Sequence, residues 1–131
     1  MEKIKVLIAG IAGASLGTEV LKCLRLCDHY EIYGCDISPL AYGLYEEDFT
    51  RTFCIDRSHY IEQILSLCSQ YGIKVIVPGA EEPTQLLSDY RHALSQQGIV
   101  LAGNEPAIIS VCSDKTRCFD LLKSQIGRAH V

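Results

Sequence analysis

The chain has 131 residues, of which 48% are hydrophobic and 21% charged, and carries a formal net charge of −4. That size and balance support one buried core without disulfides or a structural metal, which excludes disordered and fibrous classes. Twelve Lys and Arg are outnumbered by sixteen Asp and Glu, so no basic stripe offers itself to nucleic acid or anionic lipid. No apolar stretch approaches the ~20 residues needed to cross a bilayer. The few apolar residues after Met1 are too short for a signal peptide, so a cytoplasmic location is expected.

Lys3 to Gly10 is a short apolar run closed by glycine, which predicts a strand buried on both faces. From Ala14 to Cys27 the residues Leu16, Val20, Cys23, Leu24 and Cys27 recur at helical spacing and predict an amphipathic helix. Tyr30 to Cys35 predicts a second strand that stops at Asp36, with Ser38-Pro39 beyond it. Leu40 to Asp48 has no period and reads as a surface loop or short irregular helix, and Arg51 to Ile55 as a short third strand. His59 to Tyr71 places Ile61, Ile64, Leu65 and Cys68 on one stripe, and Gly72 stops the helix. Ile73 to Val77, closed by Pro78-Gly79, is a fourth strand. Pro83 to Gln97 predicts a helix with Leu86, Leu87, Tyr90 and Leu94 on one face, ending at Gly98. Ile99 to Ala102 is a fifth strand. Glu105 to Val111 predicts a short helix, and Ser113 or Asp114 caps another that carries Phe119, Leu121 and Leu122.

Strands alternate with helices, and the connections are too long for hairpins. This predicts an α/β, Rossmann-like three-layer fold with a parallel sheet of about five strands in an order near 3-2-1-4-5. The seven cysteines are odd in number, lack a Cys-x-x-Cys and lie mostly in apolar-periodic stretches, so they read as reduced core thiols. Cys23 and Cys27 fall four apart on a helix but have no further ligand at metal spacing, so no metal site is expected. The final residues 126–131 lack an apolar period and are expected to be a non-native tail, excluded from fold reasoning.

Three places could carry chemistry. Gly10, Gly13 and Gly17 follow the first strand and open a helix at Ser15, a context in which unpaired amides can take a phosphate or carboxylate. The spacing departs from the dinucleotide Gly-x-Gly-x-x-Gly, and the same glycines equally suit a tight turn and a close approach of helix to strand. Asp36 ends the second strand, where a carboxylate either binds an adenosine ribose or fixes its own turn. Gly79, Glu81 and Glu82 follow the fourth strand and should face the crevice where the strand order reverses, the two acids also favouring a helix start there. The histidines at 29, 59, 92 and 130 are scattered and form no triad, and the Glu46-Glu47-Asp48 cluster reads as a solvated face rather than a cation site.

Taken in order, Val6 to Gly17, Val75 to Leu87, and Ser113-Asp114-Lys115-Thr116 with its helix resemble the amino-terminal pre-ATP-grasp domain of ATP-grasp ligases, near the carbamoyl-phosphate-synthase-like members. Gly34 to Ser38, with Gly43-Leu44, is similar to the second-strand exit of that family. The resemblance implies a pre-ATP-grasp domain over residues 1–112 and the start of a connection over 113–125, leading to a missing carboxyl-terminal ATP-grasp domain. It implies an ATP-dependent carboxylate-amine ligase that works through an acyl phosphate, with ATP and Mg2+ held in the longer parent and not firmly by this fragment, which should be inactive alone. Gly10, Gly13, Ser15, Gly79, Glu81 and Glu82 would then face a small-molecule substrate. Lys115 and Asp36 would face the nucleotide, and a homodimer is a possible assembly.

Two other classes remain open. A nicotinamide-binding oxidoreductase or epimerase would use Gly10, Gly13, Gly17 and Asp36, but the chain has no Tyr-x-x-x-Lys pair. A noncatalytic small-ligand module of flavodoxin-like build is the other, and its phosphoacceptor version is disfavoured because Ala9-Gly10 stands where aspartates would be needed.

Overall fold

Five parallel strands form the centre of the computed structural model, which describes the backbone of residues 1–129 and the side chains of residues 1–126. They are β1 (Ile4–Ala9), β2 (Tyr30–Asp36), β3 (Arg51–Cys54), β4 (Val75–Pro78) and β5 (Val100–Leu101). The sheet order is β3-β2-β1-β4-β5, with every neighbouring pair parallel. This is the expected Rossmann-like α/β order. The helices are α1 (Leu16–Leu24), α2 (Tyr60–Tyr71), α3 (Glu81–Ser88), α4 (Arg91–Gln96), α5 (Pro106–Cys112) and α6 (Lys115–Ala129).

β1 is central because its side chains are apolar in both directions, as a doubly covered parallel strand requires. Leu7 and Ala9 enter one cluster with Tyr33, Cys35, Ile64, Cys68, Ile76, Leu87 and Leu94, which joins α2, α3 and α4 to the sheet. Ile8 points the other way, into a cluster with Ile11, Leu21, Ile32 and Phe49 beneath α1. The alternation along one strand therefore divides the core into two layers.

Three expectations need correction. The buried face of α1 is Gly17, Thr18 and Leu21, whereas Leu16 and Cys23 of the expected stripe are exposed. The helix is rotated because its first turn packs through Gly17 against another loop. The single helix expected from Pro83 to Gln97 is two, interrupted at Asp89 and Tyr90, which lets Leu87 and Leu94 both reach the core while Tyr90 stays 43% exposed. Of the seven free cysteines only Cys35 and Cys68 are buried, and Cys23, Cys54 and Cys112 are exposed, so most are not core thiols. The segment from Leu40 to Asp48 holds a short irregular helix, one of its two expected forms: a 3-10 turn at Tyr42–Tyr45, with Ala41 and Gly43 buried.

Asp114, rather than Ser113, caps α6: its Oδ1 accepts the amides of Thr116 at 2.9 Å and Arg117 at 3.1 Å. The helix continues through Ile126 to Ala129, while His130 and Val131 of the expected tail lie outside the described residues. Among the described residues no helix is long and apolar enough to cross a membrane.

Candidate functional site

The loop after β1, the start of α1 and the loop after β4 meet backbone to backbone. Gly10 has φ 101°, and its N–H donates to the Cys35 carbonyl at 2.9 Å. The Gly79 N–H donates to the Ala9 carbonyl at 2.7 Å, and the Gly17 N–H donates to the Gly79 carbonyl at 3.0 Å. A Cβ on Gly17 would stand 1.9 Å from the Gly10 carbonyl oxygen, and one on Gly79 would stand 2.3 Å from the same atom. The glycines are therefore used for close approach, and the amides of Gly10 and Gly17 are spent within the chain.

Asp36 ties this crossing to β2. It is 8% exposed, and its Oδ2 accepts the Ile11 N–H at 2.8 Å while its Oδ1 accepts the Ser38 N–H at 2.9 Å. Such charge-assisted bonds to backbone are stronger than neutral ones. The carboxylate fixes both its own turn and the glycine loop, so the turn-fixing reading of Asp36 describes its contacts.

A cavity of about 230 Å³ opens at the carboxyl ends of β1 and β4, between Gly10, Asp36, Tyr60, Ala80, Glu82 and Leu86. This is the position where the strand order reverses, the usual ligand crevice of an open α/β sheet. Glu82 makes an ion pair of 2.6 Å with Arg57 at the rim. Tyr60 is buried, and its hydroxyl has no hydrogen-bond partner among the described residues. Burial, followed by the neighbouring Cys35, Asp36 and Glu82, pushes its phenol well above the usual range, so it stays protonated.

The structure brings Gly10, Asp36 and Glu82 of the predicted residues together at this cavity. Gly79 packs behind it in the backbone crossing. Glu81 lines a more open groove of about 700 Å³ beside Arg57, Gln85 and Asp89. Gly13, at φ 55°, lines a different cavity of about 370 Å³ with Lys22, Arg25, Tyr42 and Asp48. Ser15 is half-buried with its Oγ unbonded, and its amide is taken by the Gly13 carbonyl at 2.9 Å. Lys115 is exposed at the first residue of α6 and does not line the crevice.

Tyr60 is the site residue that the sequence reading passed over. Its signal was present, because Tyr60, Ile64 and Cys68 recur every fourth residue and form the buried edge of α2. Two of the three clustered acids are engaged: Glu46 accepts from the Tyr42 hydroxyl at 3.0 Å, and Asp48 pairs with Arg25, while Glu47 is exposed. His59 sits 3.4 Å from Glu62 and His92 3.3 Å from Gln96, both exposed, while His130 lies outside the described residues. Among the described residues no three His, Cys, Asp or Glu side chains are gathered as a metal site would need.

The sequence matches the PylC-like, N-terminal domain family over residues 11–102. The chain belongs to that family, and it is a pre-ATP-grasp domain of the kind found at the amino terminus of ATP-grasp ligases. No curated protein matches it by sequence.

Among solved structures it is similar to the biotin carboxylase domain dimer of Hydrogenobacter thermophilus 2-oxoglutarate carboxylase, determined with MgADP, ADP and bicarbonate. The TM-score is 0.64 at 18% identity, over 95% of this chain and 28% of that one. It is similar to the biotin carboxylase subunit of pyruvate carboxylase with TM-score 0.63 at 17% identity, over 92% of this chain and 27% of that one. A Rex-family repressor, RSP, matches with TM-score 0.52 at 15% identity, over 94% of this chain and 63% of that one. These likenesses concern the fold, and the chain spans little more than a quarter of either carboxylase chain.

Proposed function

We propose that this chain is the substrate-side domain of an ATP-dependent ligase that activates a carboxylate as an acyl phosphate for attack by an amine or similar nucleophile. ATP and magnesium are held by an ATP-grasp portion supplied by further polypeptide, and the 131-residue chain is inactive alone. The observation that carries the reading is the family match over residues 11–102, which ends just after the strands that build the crevice. The crevice itself supports it, being a small-molecule cavity at the reversal of strand order with Asp36 and Glu82 on its wall. The nicotinamide alternative loses support at the glycine loop, because the amides of Gly10 and Gly17 are taken by the carbonyls of Cys35 and Gly79 rather than left for a pyrophosphate.

Calorimetric titration tests this. The chain alone is expected to show no tight binding of NADH or of ATP with magnesium. A longer polypeptide that continues into ATP-grasp sequence is expected to bind ATP with magnesium and to release phosphate in the presence of its substrates. Tight NADH binding by the chain overturns the proposal in favour of an oxidoreductase.

A further inference from the structure

We propose that Arg91 is a positioning residue, which fixes the direction in which α5 and α6 leave the sheet. On the ligase reading the ATP-grasp portion continues from α6, so this direction sets how that portion approaches the crevice; the consequence rests on that reading. The two helices form one unit. Arg117 Nη1, on α6, donates to the Ser110 Oγ of α5 at 2.8 Å, and the turn between the helices is closed by the Asp114 cap. The unit is lightly held, since every residue from Ala102 to Cys118 is exposed or half-buried. The Ala102 N–H, donating to the Ile76 carbonyl at 2.8 Å, makes the last backbone bond to the sheet, and the Gly103 N–H then turns back onto the Leu101 carbonyl. Among the described residues, the polar side-chain contacts that reach from the body of the domain to residues 103–126 all come from Arg91.

The break at Asp89 and Tyr90 makes Arg91 the first residue of α4, beside the exit of β5. Its side chain is 33% exposed. Nη1 donates to the Leu101 carbonyl at 3.3 Å and to the Gly103 carbonyl, while Nε pairs with Glu105 Oε1 at 3.4 Å. These acceptors straddle the exit: Leu101 ends β5, Gly103 lies in the connecting loop, and Glu105 immediately precedes α5. A space of about 270 Å³ separates Ser88, His92 and Ser95 from Glu105 and Pro106, so at this point the guanidinium, rather than packed side chains, spans from α4 to α5. α5 also lies against α3. Apolar packing of that kind is non-directional, whereas a planar fork of donors imposes an orientation on its acceptors.

Residual dipolar couplings test this, because they report direction and not stability. The 15N-labelled chain is aligned in a stretched polyacrylamide gel, and the couplings of β1, β2 and β4 are fitted separately from those of α5 and α6. In the unsubstituted chain one alignment tensor is expected to fit both groups. Arg91→Met is expected to shrink the α5 and α6 couplings at least twofold, or to rotate their tensor, while the sheet couplings stay as they were. Arg91→Lys, which keeps the cation but loses the fork, is expected to recover only part of the effect. Glu105→Gln leaves both carbonyl bonds in place and is expected to keep the single tensor. Two tensors in the unsubstituted chain, one tensor in Arg91→Met, full recovery in Arg91→Lys, or loss of the sheet couplings in either Arg91 variant each overturns the proposal. None of these outcomes touches the ligase reading, which fails on NADH binding instead.

Discussion

The carboxyl edge of β1 and β4 and the last two helices are built on opposite terms. At the edge, three stretches of backbone touch so closely that Gly10, Gly17 and Gly79 leave no space for a methyl group between them. On α5 and α6 apolar side chains exceed the surface available to bury them: Ile108 is 48% exposed, Phe119 65%, Leu122 53% and Ile126 55%. The family match stops at residue 102, just before α5 begins. Residues on the matched side fold against one another, whereas α6 displays an apolar face that the described residues do not cover. A site that depends on fixed distances belongs on the first kind of surface.

The largest effect expected is at the crossing. Gly17→Ala would drive a methyl to 1.9 Å from the Gly10 carbonyl oxygen, where both partners are backbone and neither can turn aside. A loss of roughly 3–4 kcal/mol is expected, the range of severe core defects. Gly13→Ala in the same loop meets nothing within 4 Å and suffers only from its φ of 55°, at a cost of about 1 kcal/mol. Urea denaturation of the two variants measures the gap. Equal losses would show that conformational freedom, rather than close approach, is what the loop requires of its glycines.

That contrast also explains what could be read from the chain. The strand order followed from β1, whose run from Val6 to Ala9 is apolar without alternation and so must be covered on both sides. The face of α1 did not, because the residue that seats it is Gly17, which has no side chain to register in a hydrophobic pattern. The break between α3 and α4 lies at Asp89 and Tyr90, with neither Gly nor Pro to mark it. Gly10, Asp36 and Glu82 were legible at the site because each sits at a strand exit or a helix start. The spacing of Tyr60 with Ile64 and Cys68 marked it as buried, but only the packed structure shows that its hydroxyl is left unbonded among the described residues.

A change of pH probes the packed side next. Burial raises the Cys35 thiol well above the ordinary thiol range and pushes Cys68 up to about 11. Above pH 9 the unfolded chain therefore releases thiol protons that the native state retains. The unfolded state binds fewer protons there, so stability falls as pH rises. A decrease on the order of 2 kcal/mol between pH 8 and pH 10 is expected from the two groups. Iodoacetamide labelling gives a parallel check: Cys23, Cys54 and Cys112 are exposed and should react in the native chain, and Cys35 and Cys68 only after unfolding. A flat stability profile across this interval, or early labelling of Cys35, would mean that the layer between β2 and α2 opens readily.

The smallest effect is expected on α6, and it is informative because it is small. Leu122→Ser removes an apolar side chain that is already 53% exposed, so the loss in this chain should stay within about 0.5 kcal/mol. Truncating a side chain of the central sheet such as Ile76, which is 0% exposed, to Ala should cost about 3 kcal/mol. The comparison sharpens when Leu122→Ser is placed in a longer polypeptide that continues into ATP-grasp sequence. If that polypeptide covers α6, the same substitution there removes buried rather than exposed surface, and its cost should rise toward the 1.5–3 kcal/mol of a fully buried leucine, roughly. The difference between the two measurements isolates how much of the α6 face the additional polypeptide buries. Equal small losses in both would mean that α6 stays solvated, and that the apolar stripe serves something other than contact within the longer polypeptide.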